Sequence, residues 1–139
     1  MSQYFQAGGH VLWNPSNAVA ELFVRSAEAL IPVVNQPSGI APAINDEYEI
    51  DMGAFETFVN ALVRQYRSTT HLILRSLLEG FIATALVLVE RGSGVVPALD
   101  HAPELDHTDV SAGPGGLGVR GDAGRLMELA AENSQAMSR

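Results

Sequence analysis

The strongest constraint on the fold is a run of large apolar residues at helical spacing between residues 52 and 91. Asp51 precedes the run and can cap a helix. The run predicts either one helix of about 60 Å, at 1.5 Å per residue, or two helices broken near residues 68–70. Its members recur every three or four positions, as on the buried face of a helix: Phe55, Phe58, Val59, Leu62, Val63, Tyr66, Ile73, Leu77, Phe81 and Leu88.

An unbroken helix of that length suits a homodimer better than a monomer. Residues 72–89 are apolar on nearly every face, and two crossing chains would bury them. The sequence therefore predicts an intertwined homodimer. Arg75 and Glu79 interrupt the apolar stretch, so we expect a buried helix and no membrane span.

The N-terminal third predicts a hairpin followed by a helix. Residues 3–13 hold two short aromatic and β-branched runs on either side of an Ala-Gly-Gly turn. An amphipathic helix follows, with Asn14 as its N-cap and Pro32 at its end. Residues 33–50 predict a loop that leads into a short extended segment.

The composition changes after Arg91, where glycine and proline crowd the chain. This predicts a flexible Gly/Pro-rich arm over residues 96–139, with a weak C-terminal helix that Asp122 caps. The helical domain that binds substrate and dimerises is assigned to residues 1–95. The predicted fold class is mainly α, a small helical domain with a long central helix and a short N-terminal β-hairpin.

The charge balance narrows the class of partner. Sixteen acidic residues face eight basic ones, all arginine, so the net charge is −8 and the pI about 4.8. Nucleic acid and anionic membranes both require cationic surface, so we expect neither as a partner. A cationic partner, a basic toxin or nucleic-acid-binding protein included, suits this charge. Cysteine is absent and no signal peptide is evident, so we expect a cytoplasmic protein.

Three ionisable residues at spacing four mark a candidate catalytic stripe on the predicted long helix. Arg75 could clamp a carboxylate, and His71 or Glu79 could transfer a proton. The alternative is a surface ion pair between Arg75 and Glu79, which is common on helices.

Further charged residues are candidates for binding a peptide. Arg25 lies on the polar face of the first helix and could bind a carboxylate. Glu47 and Glu49 alternate along the extended segment and could bind cationic side chains; the alternative is a solvated face. The ligand spacing of a calcium loop is missing here, so no metal is expected.

Aromatic residues near the predicted turn suggest an apolar contact surface. Phe5 and Trp13 are core candidates first, as aromatic residues usually are. They lie close to Gly8 and Gly9, where a ligand can approach the backbone, so they are also candidates for binding apolar parts of a peptide. Phosphate-loop, dinucleotide and nucleophile-elbow motifs are missing from the sequence, and no cofactor is expected.

Three segments carry a family resemblance: MSQYFQAGGHVLWNPSNAVAELFVRSAEAL at residues 1–30, PSGI at 37–40 and HLILRSLLEGFIATALVLVERG at 71–92. Together they resemble the lysinoalanine-forming enzymes of cinnamycin- and duramycin-type lanthipeptide biosynthesis. The resemblance covers residues 1 to about 92 and consists of whole segments, without a mechanistic motif.

The resemblance implies a helical homodimer that binds a modified precursor peptide and adds a lysine amine to dehydroalanine. Orientation of the two groups alone can supply about 7–11 kcal/mol in the best model systems. The general base is then His71, Glu79 or a carboxylate of the peptide itself. The alternative from another class is a dimeric helical accessory protein that binds a peptide without catalysis.

Overall fold

The computed structural model describes residues 1–101, 103 and 121–139, which form a mainly helical domain with a small N-terminal sheet. The expected fold class is confirmed at this level. The elements in chain order are β1 (Tyr4–Ala7), β2 (His10–Trp13), α1 (Asn17–Val34), β3 (Glu47–Glu49), α2 (Met52–Ser68), α3 (Leu72–Arg91), a 3-10 turn (Pro97–Leu99) and α4 (Ala123–Ala136).

The predicted hairpin is present and gains a third strand. β1 and β2 pair antiparallel across a turn in which Gly8 and Gly9 have φ values of +55° and +83°. Two left-handed residues are what a tight two-residue hairpin turn requires, and glycine adopts them without strain. β3, the predicted extended segment, pairs parallel to β1, so the strand order is β2-β1-β3.

Helix α1 differs from the prediction at both ends. Its N-cap is Ser16, whose Oγ accepts from the backbone N–H of Val19 at 3.4 Å, so the Asn14 cap was wrong. Asn14 instead donates its backbone N–H to the C-terminal segment. The helix also passes Pro32 and ends at Asn35, a left-handed residue at φ 53° that bonds back into the last turn.

The apolar run of residues 52–91 forms two helices, so the predicted break near residues 68–70 is confirmed and the long central helix of the expected fold class is not formed. Asp51 caps α2 as expected, its Oδ1 accepting from Ala54 N–H at 3.2 Å. Thr69 ends α2 in an extended conformation, and His71 starts α3 by accepting Leu74 N–H on Nδ1 at 3.3 Å. The intertwined homodimer was predicted from an unbroken helix, and the break removes that reason for it. Self-association stays a prediction.

Helix α3 has the length and apolar composition of a membrane span, with a mean hydropathy of 2.0 over the tested stretch. Within the protein, 44% of that stretch is buried, on faces that pack against α2 and α4. The core helix of a soluble protein meets the same criteria, so this is weak evidence for a span.

The sheet is joined to the helices by a cluster of aromatic rings centred on Phe5, which is fully buried. Phe5 stacks on Tyr48 at 4.8 Å and on Trp13 at 5.4 Å, and meets the edge of Phe23 at 5.4 Å. Phe5 is therefore a core residue, the first of its two sequence interpretations, and its buried side chain has no surface open to a ligand.

The C-terminal helix belongs to the same core as residues 1–101. Asp122 caps α4 as predicted, and α4 packs along α3. Arg91 fixes the end of the chain: its guanidinium donates to the carbonyls of Leu12, Ser134 and Met137. The flexible arm predicted for residues 96–139 thus differs from the structure over residues 121–139, while residues 104–120 lie outside the described residues.

Replacing Phe5 by alanine should lower the free energy of unfolding by about 3–5 kcal/mol, because it removes the centre of the aromatic cluster. The neighbouring Tyr4, 38% exposed, is the matched control, and Tyr4→Ala should cost about 1 kcal/mol or less. Urea denaturation of both variants measures the difference. Equal losses would show that Phe5 is not central to the core.

Candidate functional site

An apolar groove of about 410 Å³ lies between α1 and α3. Its volume falls within the usual range for ligand-binding pockets, about 300–1,000 Å³. Apolar side chains from both helices, together with Trp13 at the end of β2, make most of its lining: Trp13, Val19, Leu22, Phe23, Ser26, Ala29, Leu30, Leu77, Gly80, Phe81 and Thr84.

The floor of the groove is aromatic and anchored in the core. Phe23 and Phe81 stack with their ring centroids 4.8 Å apart, and Trp13 meets the edge of Phe23 at 5.5 Å. Phe81 in turn meets the edge of the fully buried Phe58 at 6.2 Å. Such ring pairs hold their partners in defined positions, so the floor is preformed.

The rim of the groove exposes large apolar side chains to water. Leu22 on α1 is 67% exposed and Leu77 on α3 is 74% exposed, and Val19 stands beside them half-exposed. Single exposed leucines are ordinary, but several around one apolar cavity form a continuous patch of the kind that marks an interaction site.

The groove carries no ionisable side chain among the residues that line it. Its two hydroxyl groups donate within their own helices: Ser26 Oγ to the Leu22 carbonyl at 2.7 Å, and Thr84 Oγ1 to the Gly80 carbonyl at 3.2 Å. Thr84 Oγ1 also accepts from Asn133 Nδ2 of α4 at 3.1 Å. Recognition here therefore depends on shape and apolar contact.

Gly80 leaves the α3 wall open. No atom lies within 4 Å of the position that a β-carbon would occupy there. A β-carbon at residue 80 therefore meets open space at the wall of the groove, so a larger side chain at this position is a direct means of closing the groove.

The predicted catalytic stripe lies on another face of α3, roughly opposite the groove at 3.6 residues per turn. Glu79 accepts a hydrogen bond from Tyr66 Oη at 2.7 Å and faces Arg125 Nε at 3.5 Å. The alternative pair of Arg75 with Glu79 does not form within the described part of the chain. His71 Nδ1 accepts the Leu74 N–H as the cap of α3. Proton transfer by His71 or by Glu79 stays a prediction.

Burial is the main cause that raises the pKa of Tyr66 above its usual value. The hydrogen bond to Glu79 and its negative charge act in the same direction, while Arg75 and Arg125 oppose them. The phenol is therefore a neutral donor that holds the Glu79 carboxylate over the neutral pH range.

Glu47 and Glu49 lie exposed on one face of β3, as alternation along the strand predicts. Glu47 accepts from the Gln6 side chain at 3.1 Å, and Glu49 accepts from the Gly8 backbone N–H at 3.3 Å. These contacts tie the acidic strand to the hairpin turn. Binding of cationic side chains by this face stays a prediction.

Arg25 lies on the exposed face of α1 and pairs with Glu21 at 2.7 Å. The hydrogen bond and charge of Glu21 raise the pKa of Arg25. Arg25 and Glu21 line a separate, polar depression of about 480 Å³, so the structure does not bring Arg25 to the apolar groove.

Of the predicted binding residues, Trp13 alone lines the groove. The sequence interpretation missed Leu22, Leu77 and Gly80 as site residues, and it assigned Leu77 to the buried face of the run at residues 52–91. One sequence signal could have found them: residues 72–89 are apolar on nearly every face, and neighbouring elements cannot cover all of that apolar surface.

Comparison with known proteins places the chain in a family. The model of DUF6086, a family of unknown function, matches residues 1–139. The chain belongs to this family. Searches of curated proteins and of solved structures found no significant match.

The free energy of unfolding should fall as the pH rises above about 10, the ordinary tyrosine pKa, because the unfolded chain releases the Tyr66 proton while the folded protein retains it. The slope is at most about 1.4 kcal/mol per pH unit for one proton. The chain has no lysine or cysteine to mask this titration.

Urea denaturation at rising pH measures this slope, and Tyr66→Phe should reduce it. The exposed Tyr4 provides the control, since Tyr4→Phe should leave the slope unchanged. Identical slopes for Tyr66→Phe and the parent protein would contradict a raised Tyr66 pKa.

Proposed function

We propose that the protein binds a peptide and that the α1–α3 groove holds an apolar segment of it. The observation that carries the proposal is an uncharged groove with a fixed aromatic floor and with Leu22 and Leu77 exposed on its rim. Grooves between helices commonly accept the apolar face of an amphipathic segment.

The charge of the protein favours a peptide over a second copy as the occupant. Each copy carries a net charge of −8, so two copies repel one another. A peptide with basic and apolar residues is attracted by that charge and can place its apolar side chains in the uncharged groove. The homodimer predicted from the sequence is compatible with this proposal if the two copies associate through a surface other than the groove.

Closing the groove at Gly80 tests the proposal. Gly80→Phe should weaken binding of an acetylated helical peptide of leucine and lysine at least roughly ten-fold, because the ring occupies the apolar site. Gly80→Ala is the matched control: it should keep the affinity and raise the free energy of unfolding by about 0.5–1 kcal/mol. The fluorescence of Trp13, the single tryptophan, reports binding at the groove floor.

Light scattering on the same variants separates the two occupants. A parent protein that is dimeric and a Gly80→Phe variant that is monomeric would assign the groove to self-association and overturn the peptide proposal. Equal affinity of the peptide for both Gly80 variants would overturn it as well.

The sequence resemblance suggests a chemical step on the bound peptide, and we propose this as a second candidate function. The lysine amine nitrogen attacks the β-carbon of dehydroalanine and forms a C–N bond, while the alkene electron pair moves to the α-carbon. A base removes one proton from the nitrogen, and the α-carbon takes up a proton. The step is a net addition of N–H across C=C without a leaving group.

The geometry favours a version of this step in which the peptide supplies the base. The residues that line the groove include no titratable group, and His71 and Glu79 lie on another face of α3. The protein would then contribute orientation and exclusion of water, which are large effects when the two reacting groups belong to one peptide.

Incubation with a dehydrated, thioether-closed and aspartate-hydroxylated lanthipeptide precursor tests this step. Ring closure leaves the mass unchanged, so remaining dehydroalanine is counted by thiol adducts in mass spectrometry. We expect the adduct to disappear with the parent protein and to persist with Gly80→Phe. A persistent adduct together with a saturable Trp13 signal would instead support the non-catalytic accessory protein.

A further inference from the structure

A polar cluster forms where three helices meet, away from the groove. Tyr66 comes from the end of α2, Arg75 and Glu79 from the first half of α3, and Arg125 from the first turn of α4. Both oxygens of Glu79 are engaged: Oε2 accepts from the Tyr66 hydroxyl at 2.7 Å, and Oε1 lies 3.5 Å from Arg125 Nε.

Arg75 is left without an acceptor in this cluster. Its Nε is buried and has no hydrogen-bond partner, and its guanidinium forms no ion pair within the described residues. A buried donor without an acceptor is costly, and guanidinium groups at such positions usually have an anion beside them. The side chain as a whole is only partly buried, so a ligand can reach the outer guanidinium nitrogens.

The charges of the cluster do not balance. The charged groups that act on the Tyr66 phenol are the Glu79 carboxylate and the guanidinium groups of Arg75 and Arg125. Among the described residues, two positive charges thus face one negative charge, a local excess of +1 in a chain whose net charge is −8. A local positive excess in an acidic protein is suited to an anion that carries one charge.

We propose that Arg75, supported by Arg125, binds a single carboxylate at this junction of α2, α3 and α4. A carboxylate matches the planar guanidinium and neutralises the excess charge. A phosphate dianion would leave an additional negative charge next to Glu79, so it fits less well. The site is separate from the groove and does not depend on the peptide proposal.

Arginine Nε–Hε resonances in NMR spectra test the site directly, since the chain has only eight arginines. Three probes are titrated separately: N-acetylglycine, which carries a main-chain carboxylate; acetylated and amidated glutamate, which carries a side-chain carboxylate; and inorganic phosphate. We expect a saturable shift of the Arg75 resonance with at least one carboxylate probe. The probe that binds more tightly identifies the source of the carboxylate.

Arg75→Gln and Glu79→Gln should change carboxylate binding in opposite directions, and a third variant is the control. Arg75→Gln should abolish the saturable response of the Arg125 resonance, whereas Arg139→Gln, at an exposed position of the C-terminal segment, should leave it unchanged. Glu79→Gln should tighten carboxylate binding roughly five-fold, because it removes the competing negative charge. The Glu79→Gln variant keeps all eight arginines, so its Arg75 resonance still reports carboxylate binding.

The proposal is overturned where the Arg75 resonance of the folded parent protein shows no saturable shift with either carboxylate. It is also overturned where phosphate binds more tightly than both, or where Arg139→Gln weakens binding as much as Arg75→Gln. Circular dichroism of each variant ensures that only folded protein is compared.

Discussion

Helix α3 has more apolar surface than its neighbours cover, and the rest of the structure is arranged around this excess. α2 and α4 bury the faces that carry Leu78, Ile82 and Leu86. α1 approaches the remaining face only in part, through the stack of Phe23 on Phe81, and the groove opens beside that contact. The same excess explains why α3 has the composition of a membrane span while it also forms the core.

The aromatic cluster determines where α1 lies and therefore how wide the groove is. Phe5 on β1 contacts Trp13, Tyr48 and Phe23, which come from β2, β3 and α1. The small sheet thus positions the first helix against α3 through ring contacts that tolerate little displacement. For this reason a residue expected to contact a ligand acts as the support of the groove floor.

Two faces of α3 have opposite character. The groove face carries no ionisable side chain, whereas the face toward α2 and α4 holds the cluster of Tyr66, Arg75, Glu79 and Arg125. The apolar groove and the charged cluster are therefore separated on this protein. A peptide that uses the groove does not meet the Arg75 guanidinium directly, and each site can be altered without the other.

The sequence by itself determined the features that depend on neighbouring residues. The hairpin needs two left-handed residues, which Gly8 and Gly9 supply, and the caps of α2 and α4 need the side chains of Asp51 and Asp122. These interactions span three residues or fewer, so local chemistry is sufficient to predict them.

Only the tertiary structure decided whether residues 52–91 form one helix or two and which apolar residues are exposed. The apolar period continues through the break, because Thr69 and His71 interrupt the backbone without changing the stripe. Leu22 and Leu77 follow the same period as core residues and still face water. Periodicity identifies an apolar face, but a neighbouring element must cover that face before it becomes core, and the position of that neighbour depends on contacts distant in the chain.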